Sequence, residues 1–452
     1  MWPRFDHNRE IDGRIAFELR RRKLGRFQVH VKDLPSYRFV DLWQAAEDYA
    51  KSRRDTIRIE SQHDETLTAI LHAKPNRWSS RRINRSSQVG WPAGPDEETY
   101  LPVDMFWLCR RAPGEEAADI ILRVRYVPHQ EQAVLEVASE STGEAESTIT
   151  RVIERSEADS IYRKKLLLLS FEPGVKDEYG DIEKPERLRV RFKPEERIED
   201  EDVVIDEDIR RILWRNVVDL HERRNILKAH KVPVRRGVLL YGPPGTGKTF
   251  ACRYLCGRLP ETTRILVTGS ALFKVSAIFS LARMFQPSLV ILEDVDLVFG
   301  AREVNLYSSV LGELLDQMDG LRPYEDVGFV LTTNAIDRME AAIRDRPGRI
   351  SQCIYFGPPN DELRRRYLLR YLIPHAMHRL NLDGLVALSK GATQAFLKEW
   401  VHRSVQIAAE RLQSHSDELE LRDEDLRGAF EEMRRFSPGT TGRIVGFHEG
   451  GG

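Results

Sequence analysis

The pattern of hydrophobic and polar positions changes partway along the chain. In the earlier part, Asp119–Val127 and Gln132–Val137 alternate in polarity, which predicts a pair of strands. Ser147–Arg163 has the spacing of an amphipathic helix, and further apolar runs of strand length are Leu166–Phe171 and Leu188–Phe192. We therefore predict a mixed α/β N-terminal domain over residues 1–193.

In the later part, from Ile209 onward, short apolar runs alternate with helical patterns, which is typical of a parallel sheet covered by helices. The strand-length runs are Gly237–Tyr241, Arg264–Thr268, Leu289–Glu293, Gly328–Thr332 and Gln352–Phe356. Helical patterns then fill residues 361–436. We expect an α/β fold with a parallel sheet sandwiched by helices over residues 209–360, followed by a small helical lid over residues 361–436.

Three polar segments are predicted to lie between or after these elements. Residues 194–208 contain nine Asp and Glu residues. Because like charges repel and extend a chain, we expect this acidic segment to be a linker between domains. Asn76–Pro95 is rich in Arg, Ser, Asn, Gly and Pro and is predicted to be a loop. The glycine-rich residues 437–452 are predicted to form a flexible tail.

The amino-acid composition excludes one class of function and indicates where the protein is located. The 452 residues contain 70 Lys and Arg against 71 Asp and Glu, a formal net charge of -1, which excludes a globally basic nucleic-acid binder. Because no run of about 18 apolar residues occurs, no membrane span is expected. The N-terminus has no apolar signal region, and the cysteines have no zinc-binding spacing, so we expect a cytoplasmic protein. The cysteines are Cys109, Cys252, Cys256 and Cys353.

A local excess of positive charge leaves one question open. The first 90 residues contain 19 Lys and Arg against 12 Asp and Glu, and Arg20–Lys23 is the densest cluster. Such a cluster is either a solvated helix face or a surface for an acidic partner or nucleic acid.

The strongest chemical signal is a phosphate-binding motif. Residues 242–249 fit GxxxxGK[ST] between a strand-like run and a helix-like segment, which is the context in which this motif binds nucleotides. Glycines let backbone N–H groups face anionic oxygens, Lys248 reaches the phosphates, and Thr249 is a ligand of Mg²⁺. The predicted ATP-binding residues are Gly242, Pro243, Pro244, Gly245, Thr246, Gly247, Lys248, Thr249 and Phe250.

A second signal is an apolar strand that ends in carboxylates. Leu289–Leu292 is followed by Glu293 and Asp294. We expect this strand to lie next to the strand of the phosphate-binding motif, so that its carboxylates reach Mg²⁺ and the attacking water.

Taken in order, these motifs resemble the AAA family of ATPases, in the subgroup with a second region of homology. The resemblance covers residues 203–436. Thr332-Thr333-Asn334 resembles its sensor 1, which implies that Asn334 holds the attacking water or the γ-phosphate. Arg346-Pro347-Gly348-Arg349 resembles its arginine-finger motif, which implies that Arg346 and Arg349 reach the nucleotide of a neighbouring subunit in a ring, usually a hexamer. Gly391-Ala392 resembles the position of sensor 2.

The sequence departs from the family pattern in three places. The acidic pair is Glu293-Asp294 rather than Asp-Glu, as in the mitochondrial AAA translocase of the Rieske protein. Since neighbouring strand residues point to opposite sides, we assign Glu293, with Thr249, to Mg²⁺ and Asp294 to the water. Lys274–Pro287 is shorter than usual, and we expect Phe273 and Phe279 to be core residues of a helix face rather than pore residues. Near the finger motif a longer segment makes Arg344 an alternative.

Three functions stay open from the sequence. The first is a hexameric, Mg-ATP-hydrolysing AAA ATPase that remodels proteins or complexes and receives a protein substrate or adaptor through its N-terminal domain. The second is a scaffold whose assembly depends on ATP and whose hydrolysis is slow. The third, which rests only on the basic N-terminal stretch, is a motor associated with nucleic acid.

Overall fold

The computed structural model divides the chain into two compact units, residues 1–163 with 167–194 and residues 164–166 with 195–452. It describes residues 27–53, 55–60, 65–72, 86–110, 119–172, 174–176, 182–184, 187–234, 236–296, 304–322, 325–338, 350–373, 380–412 and 419–435. The basic cluster Arg20–Lys23 and the predicted tail lie outside these residues.

The first unit contains a five-stranded antiparallel sheet in the order β1-β7-β6-β5-β2. Two antiparallel hairpins, β3-β4 and β9-β10, and the antiparallel pair β8-β11 complete its described strands. The elements are β1 (Gln28–Pro35), α1 (Phe39–Ser52), β2 (Asp55–Glu60), α2 (Leu67–His72), β3 (Gln88–Pro92), β4 (Glu98–Pro102), β5 (Asp104–Arg110), β6 (Ile120–Val127), β7 (Gln132–Ser139), α3 (Thr142–Ala158), β8 (Leu166–Glu172), β9 (Val175–Lys176), β10 (Ile182–Lys184) and β11 (Arg187–Phe192).

The alternation of side chains along β6 explains how this sheet is covered. Leu122 and Val124 join the core formed with α1 and α3, whereas Ile121 joins a second core formed with α2 on the opposite face. Arg123, on that second face, is buried and donates hydrogen bonds of 2.7 and 2.8 Å to Asp104. The predicted strand pair is therefore confirmed. Because both faces of the sheet are buried, the polar side chain of Arg123 is paired with Asp104.

Two predictions for this unit were inaccurate. Helix α3 begins five residues before the predicted Ser147, because the Ser141 side chain caps it by accepting a hydrogen bond from the N–H of Glu144. In addition, β3 lies within the segment predicted to be a loop and pairs with β4, where Trp91 opposes Thr99.

The second unit contains five parallel strands in the order β13-β14-β15-β12-β16. Its elements are α4 (Glu207–Leu213), α5 (Asp219–Glu222), α6 (Arg224–Ala229), β12 (Arg236–Tyr241), α7 (Lys248–Gly257), β13 (Thr263–Val267), α8 (Val275–Met284), β14 (Ser288–Leu292), α9 (Val304–Asp319), β15 (Val327–Thr333), β16 (Ile350–Tyr355), α10 (Asp361–Leu372), α11 (Leu382–Leu388), α12 (Gln394–Glu410) and α13 (Asp423–Arg435). The predicted α/β class and all five predicted strands are confirmed. Strands β13, β14 and β15 are buried along their whole length, which accounts for their apolar runs, whereas β16, the last strand in this order, is partly exposed.

The strand order corrects one expectation. The acidic strand β14 is not the neighbour of β12, which carries the phosphate-binding motif. Instead β15 lies between them and pairs in parallel with both. Asn334, which follows β15, therefore lies between the motif and the carboxylates.

The four helices α10 to α13 pack around a common apolar core that includes the buried side chain of Trp400. Val204 of the acidic segment joins this core, and its carbonyl oxygen accepts a hydrogen bond from the Tyr367 hydroxyl. Helices α10 to α13 thus form a helical bundle to which the end of the acidic segment is fixed.

The acidic segment is also bound to the helix that follows the phosphate-binding motif. Asp200 accepts a 2.5 Å hydrogen bond from the Tyr254 hydroxyl on α7 and pairs with Arg258, the residue that follows α7. Asp202 forms a 2.6 Å ion pair with Arg370 of α10. Charge repulsion within the segment is therefore offset by these basic partners, so residues 200–204 are folded rather than extended. The domain boundaries themselves stay predictions.

The two phenylalanines near α8 have different environments. Phe279 is fully buried and stacks on Phe329 with ring centroids 4.8 Å apart, as predicted for a core residue. Phe273 is 46% exposed, so its predicted core position is wrong: it ends a 3₁₀ turn, Gly269–Phe273, before α8 begins. Among the described residues no helix is both long and apolar enough to cross a membrane.

Candidate functional site

The glycine-rich loop, residues 242–247, is tightly curled between β12 and α7. Gly242, Gly245 and Gly247 have φ values of 145°, 78° and 97°. Side chains rarely tolerate this left-handed region, so the loop requires glycine at these positions. Thr246 Oγ1 donates a 2.9 Å hydrogen bond to the carbonyl oxygen of Pro243, which closes the curl. Such a loop directs backbone N–H groups toward an anion.

The loop is also enclosed by its neighbours. A Cβ atom at Gly242 would collide with the main-chain oxygen of Phe356, which follows β16. A Cβ atom at Gly245 would lie only 2.9 Å from the Cβ of Ala395 on α12. Two of the motif's glycines are thus required by close packing as well as by backbone conformation.

Lys248, the first residue of α7, is buried, and its ammonium group is bound to the loop. Nζ donates hydrogen bonds of 2.8 Å to the carbonyl oxygen of Gly242 and 2.9 Å to that of Pro243. Burial lowers the pKa of Lys248, and the nearby carboxylates of Asp294 and Asp296 oppose that shift. A cation and two carboxylates therefore meet at the loop.

Asp294 lies at a sharp turn of the backbone. Strand β14 ends at Leu292, and Asp294 has φ = 50°, in the left-handed region. Its N–H donates a 2.9 Å hydrogen bond to Thr332 Oγ1 on β15, and Asn334 Nδ2 lies 3.4 Å from its Oδ1. This turn carries Asp294 beyond the strand, so the alternation we used to assign its role does not apply to it.

Glu293 has different neighbours. Its N–H donates a 3.2 Å hydrogen bond to the carbonyl oxygen of Val267 at the end of β13. Burial raises the pKa of the Cys252 thiol, and the negative charge of Glu293 raises it further. The carboxylate that acts most strongly on Lys248 is instead that of Asp294. The two acids are therefore distinguished by their surroundings.

Asp296 is a site residue that sequence reasoning missed. Its Oδ1 accepts a 3.0 Å hydrogen bond from the backbone N–H of Asn334, and its charge acts on Lys248. The signal was present, because Asp296 follows the predicted acidic pair after a single buried residue, Val295.

A cavity of about 540 Å³ opens at the glycine-rich loop. It brings together the predicted residues Lys248, Thr249, Phe250, Asp294 and Asn334 with several that were not predicted. The residues lining it are Asp202, Val204, Pro244, Gly245, Gly247, Lys248, Thr249, Phe250, Arg253, Asp294, Asn334, Tyr367, Arg370, Tyr371, Gln394, Ala395 and Lys398.

The chemistry of this lining fits a nucleotide triphosphate with Mg²⁺. Cationic side chains of Lys248, Arg253, Arg370 and Lys398 complement phosphate charge. Thr249 and a carboxylate offer the oxygen ligands that Mg²⁺ prefers.

Several predicted residues remain untested by this geometry. Arg344, Arg346 and Arg349 lie outside the described residues. Gly391-Ala392, expected at the sensor-2 position, ends the connection before α12; the lid residues that reach the loop are Gln394 and Ala395 instead. The contact with the loop therefore comes from residues further along the chain than the resemblance suggested.

Comparison with known proteins agrees with the geometry of this site. Residues 238–358 match the ATPase family associated with various cellular activities (AAA). The chain is 30% identical over 235 residues to the ATP-dependent zinc metalloprotease FtsH 2 of Sphaerobacter thermophilus. It is 32% identical over 184 residues to the 26S proteasome regulatory subunit 8 homolog of Schizosaccharomyces pombe. An AAA ATPase domain is therefore present in the second unit.

The similarity covers only part of each protein. The alignment with FtsH 2 spans 48% of this chain and 36% of that relative, and the alignment with the proteasome subunit spans 37% and 45%. The crystal structure of the FIGL-1 AAA domain in complex with ADP superposes with a TM-score of 0.43 and 22% identity, over 53% of this chain and 85% of its own.

Proposed function

We propose that the AAA ATPase domain of this chain binds ATP with Mg²⁺ in the cavity at the glycine-rich loop and hydrolyses it. The observation that supports this most directly is the convergence of Lys248, Asp294 and Asn334 at a curled phosphate-binding loop. Three different elements supply these groups, and each has the chemistry that phosphoryl transfer needs.

Each residue has a proposed role. The loop N–H groups and Lys248 bind the phosphates, and Lys248 exchanges its present carbonyl partners for phosphate oxygens. Mg²⁺ supplies charge neutralisation at the phosphates when bound, and Thr249 with Glu293 would hold it. Asp294 polarises the attacking water, and Asn334, which donates toward Asp294, orients it.

We further propose that the protein acts as a ring, most simply a hexamer, that remodels proteins or protein complexes in the cytoplasm. Both curated relatives are named for protein-processing assemblies, a protease and a regulatory subunit of the proteasome. In this proposal Arg346 and Arg349 serve the neighbouring subunit's nucleotide, Arg344 is the alternative, and residues 1–193 bind the substrate or adaptor. The reversed pair Glu293-Asp294 makes the acidic turn locally similar to that of the Rieske-protein translocase.

A second candidate is an ATP-controlled scaffold that hydrolyses slowly. It is favoured by Asp294, because an aspartate is one methylene shorter than glutamate and reaches less far toward a water. The nucleic-acid motor depends on Arg20–Lys23, outside the described residues, and no described contact supports it.

The test of ATP binding and hydrolysis compares the parent with Lys248→Ala. We expect calorimetry to show binding of Mg-ATP by the parent and none by the variant, and phosphate release to follow the same pattern. Equal hydrolysis by the two proteins would contradict the proposed site. Stimulation of turnover by a protein substrate favours remodelling, whereas slow turnover without stimulation favours the scaffold.

A further inference from the structure

Strand β11 of the first unit carries arginines along one face. In its sequence, RLRVRF, Arg187, Arg189 and Arg191 alternate with apolar residues. Because successive side chains of a strand point to opposite faces, the three arginines share one face and are spaced about 6.8 Å apart. Val190, on the opposite face, is buried. The burial of the apolar face therefore fixes the arginines on the other one.

Nearby carboxylates neutralise only part of this positive charge. The first arginine of the strand pairs with Glu131 at 3.0 Å. Oε1 of Glu172, on β8, lies 3.1 Å from Nε of Arg189 and 3.6 Å from Nη2 of Arg191, so a single carboxylate serves two guanidinium groups. The side chain of Arg191 is 60% exposed. Lys193, just after the strand, has no ion-pair partner among the described residues.

The backbone of β11 is also open on one side. The strand pairs antiparallel with β8, and no described strand pairs with its other side. Such an edge offers N–H and C=O groups to a further extended peptide, which nucleic acid cannot match with its own backbone. Two copies of β11 would oppose like charges, which is unfavourable, whereas a strand with carboxylates would complement the arginines. We call this side of β11, with Arg189, Arg191 and Lys193, the basic edge.

We propose that the basic edge binds an extended acidic segment of a protein substrate or adaptor, which adds to β11 as a further strand. This inference rests on the proposed role of residues 1–193 in binding a substrate or adaptor. In an extended segment with an acid at every second residue, the carboxylates lie on one face and repeat at about the 6.8 Å spacing of the arginines. Recognition therefore depends on both the charge and the extended backbone of the partner.

The experiment measures binding of a labelled peptide of about twelve residues, alternating Glu and Thr, to the full chain by fluorescence anisotropy. We expect the parent to bind this peptide more weakly as salt rises, and to leave a peptide of alternating Lys and Thr unbound. The double variant Arg189→Glu, Arg191→Glu should bind at least about tenfold more weakly, because two attractions become repulsions. The control, Lys32→Glu with Arg151→Glu, makes the same change of charge at exposed positions of β1 and α3 and should bind as the parent does.

A second measurement uses the parent alone, so it does not depend on the folding of a variant. The same acidic peptide, methylated at every backbone nitrogen, keeps its carboxylates but has no N–H groups to donate to β11. We expect it to bind at least about tenfold more weakly than the unmodified peptide. Equal binding of the two forms would show attraction by charge alone and overturn the addition of a strand.

The remaining outcomes identify other occupants of the basic edge. Tighter binding of single-stranded DNA of the same charge, lost in the double variant, would make the basic edge a nucleic-acid surface and overturn the proposal. A smaller assembly of the double variant, with peptide binding unchanged, would make it a contact between copies and overturn it too. A parent that hydrolyses ATP but binds no acidic peptide overturns this inference alone. A parent that binds the peptide but does not hydrolyse ATP overturns the proposed ATPase function and leaves the basic edge in place.

Discussion

The backbone N–H of Asn334 donates a 3.0 Å hydrogen bond to Oδ1 of Asp296, which connects the end of β15 to the turn after β14. The side chain of Asn334 extends toward Asp294, with Nδ2 3.4 Å from Oδ1. Asn334 is therefore held between two carboxylates, one that receives its backbone N–H and one that its side chain approaches. In the proposed reaction Asp296 positions Asn334, whereas Asp294 is the residue that polarises the attacking water.

The first prediction concerns this positioning. Asp296→Ala removes the acceptor for the Asn334 N–H, and we expect the turnover number to fall about 10- to 100-fold, since small misplacements of reacting groups are costly. The affinity for ATP should change little. Asp296→Asn, which keeps an acceptor oxygen, should retain more activity than Asp296→Ala. Steady-state phosphate release and calorimetry measure the two quantities.

Asp337→Ala is the matched control, because Asp337 is exposed and lies just after Asn334 in the chain. It should hydrolyse ATP as the parent does. A turnover number for Asp296→Ala equal to that of Asp337→Ala would show that the hydrogen bond to Asn334 has no role in hydrolysis.

A second prediction distinguishes the roles of Asp294 and Glu293. Asp294→Asn keeps the shape of the side chain but removes the proposed base, so we expect ATP to stay bound while hydrolysis falls about 10²- to 10⁴-fold. Glu293→Gln should instead weaken the dependence of ATP binding on Mg²⁺. If Asp294→Asn hydrolyses ATP at the parent rate, the assignment of Asp294 is wrong.

The proposed ring gives a third prediction. Subunits with Arg349→Ala lack the finger but keep Asp294, whereas subunits with Asp294→Asn keep the finger. Mixing the two inactive proteins should restore part of the activity if a finger acts on the neighbouring subunit's nucleotide, because some interfaces then combine both intact groups. Arg346→Ala and Arg344→Ala subunits, mixed in the same way, identify which arginine is the finger. An absence of recovery in all three mixtures would exclude action between subunits.

The features of this site that could be predicted from the sequence are those encoded by residues close together in the chain. The glycine-rich loop was predicted residue by residue, since its motif is contiguous and lies between a strand and a helix. Strands β13, β14 and β15 were predicted because burial on both faces leaves a largely apolar run. One strand neighbour was predicted wrongly, because β15 rather than the acidic strand β14 pairs with β12.

The position of Gln394 beside the loop and the pairing of the acidic segment were missed because both depend on contacts between distant segments. Gln394 reaches the loop through the packing of the lid, whereas the sequence indicated Gly391-Ala392 at this place. The acidic segment was expected to extend by repulsion, but Asp200 pairs with Arg258, which follows α7, and Asp202 pairs with Arg370 of α10. Charge counted along the sequence does not include partners that are more than 50 residues away.

The acidic segment provides the fourth prediction. Asp202 pairs with Arg370, whose Nη1 also donates a 3.1 Å hydrogen bond to the carbonyl oxygen of Glu201. The hydrogen bond from Arg370 lowers the pKa of Asp202, so the stabilisation is present near neutral pH and is lost as pH falls through the lowered pKa. In a double-mutant cycle, Arg370→Gln should cost less stability when Asp202→Asn is already present, and this coupling should decrease in 1 M salt.

The pair Arg403 and Glu399 on α12 provides the comparison, because it is also a half-exposed ion pair of the lid but does not involve the acidic segment. Its cycle should leave hydrogen exchange of residues 199–204 unchanged, whereas Arg370→Gln should increase it. Unchanged exchange of that segment in Arg370→Gln would show that the ion pair does not hold it.

The final prediction concerns Asp41, a buried carboxyl on α1. It accepts hydrogen bonds of 2.7 Å from Ser160 Oγ and 2.9 Å from the N–H of Ile161. Burial raises its pKa from 3.8 to about 6, and the two hydrogen bonds and Arg38 only partly oppose this. The folded state therefore binds a proton more tightly than the unfolded state does, and the contribution of Asp41 to stability decreases as pH rises from about 4 to about 6.

Asp41→Asn does not titrate, yet its side chain can still accept from Ile161 and bond to Ser160. The stability of this variant relative to the parent should therefore rise by about 2 kcal/mol between pH 4 and pH 6 and become constant above about pH 7. Hydrogen exchange of α1 peptides at several pH values measures the opening free energy of this unit. Asp48→Asn, at an exposed position of the same helix, should show no such rise. A difference between Asp41→Asn and the parent that is independent of pH would mean that Asp41 is ionised at its ordinary pKa despite its burial.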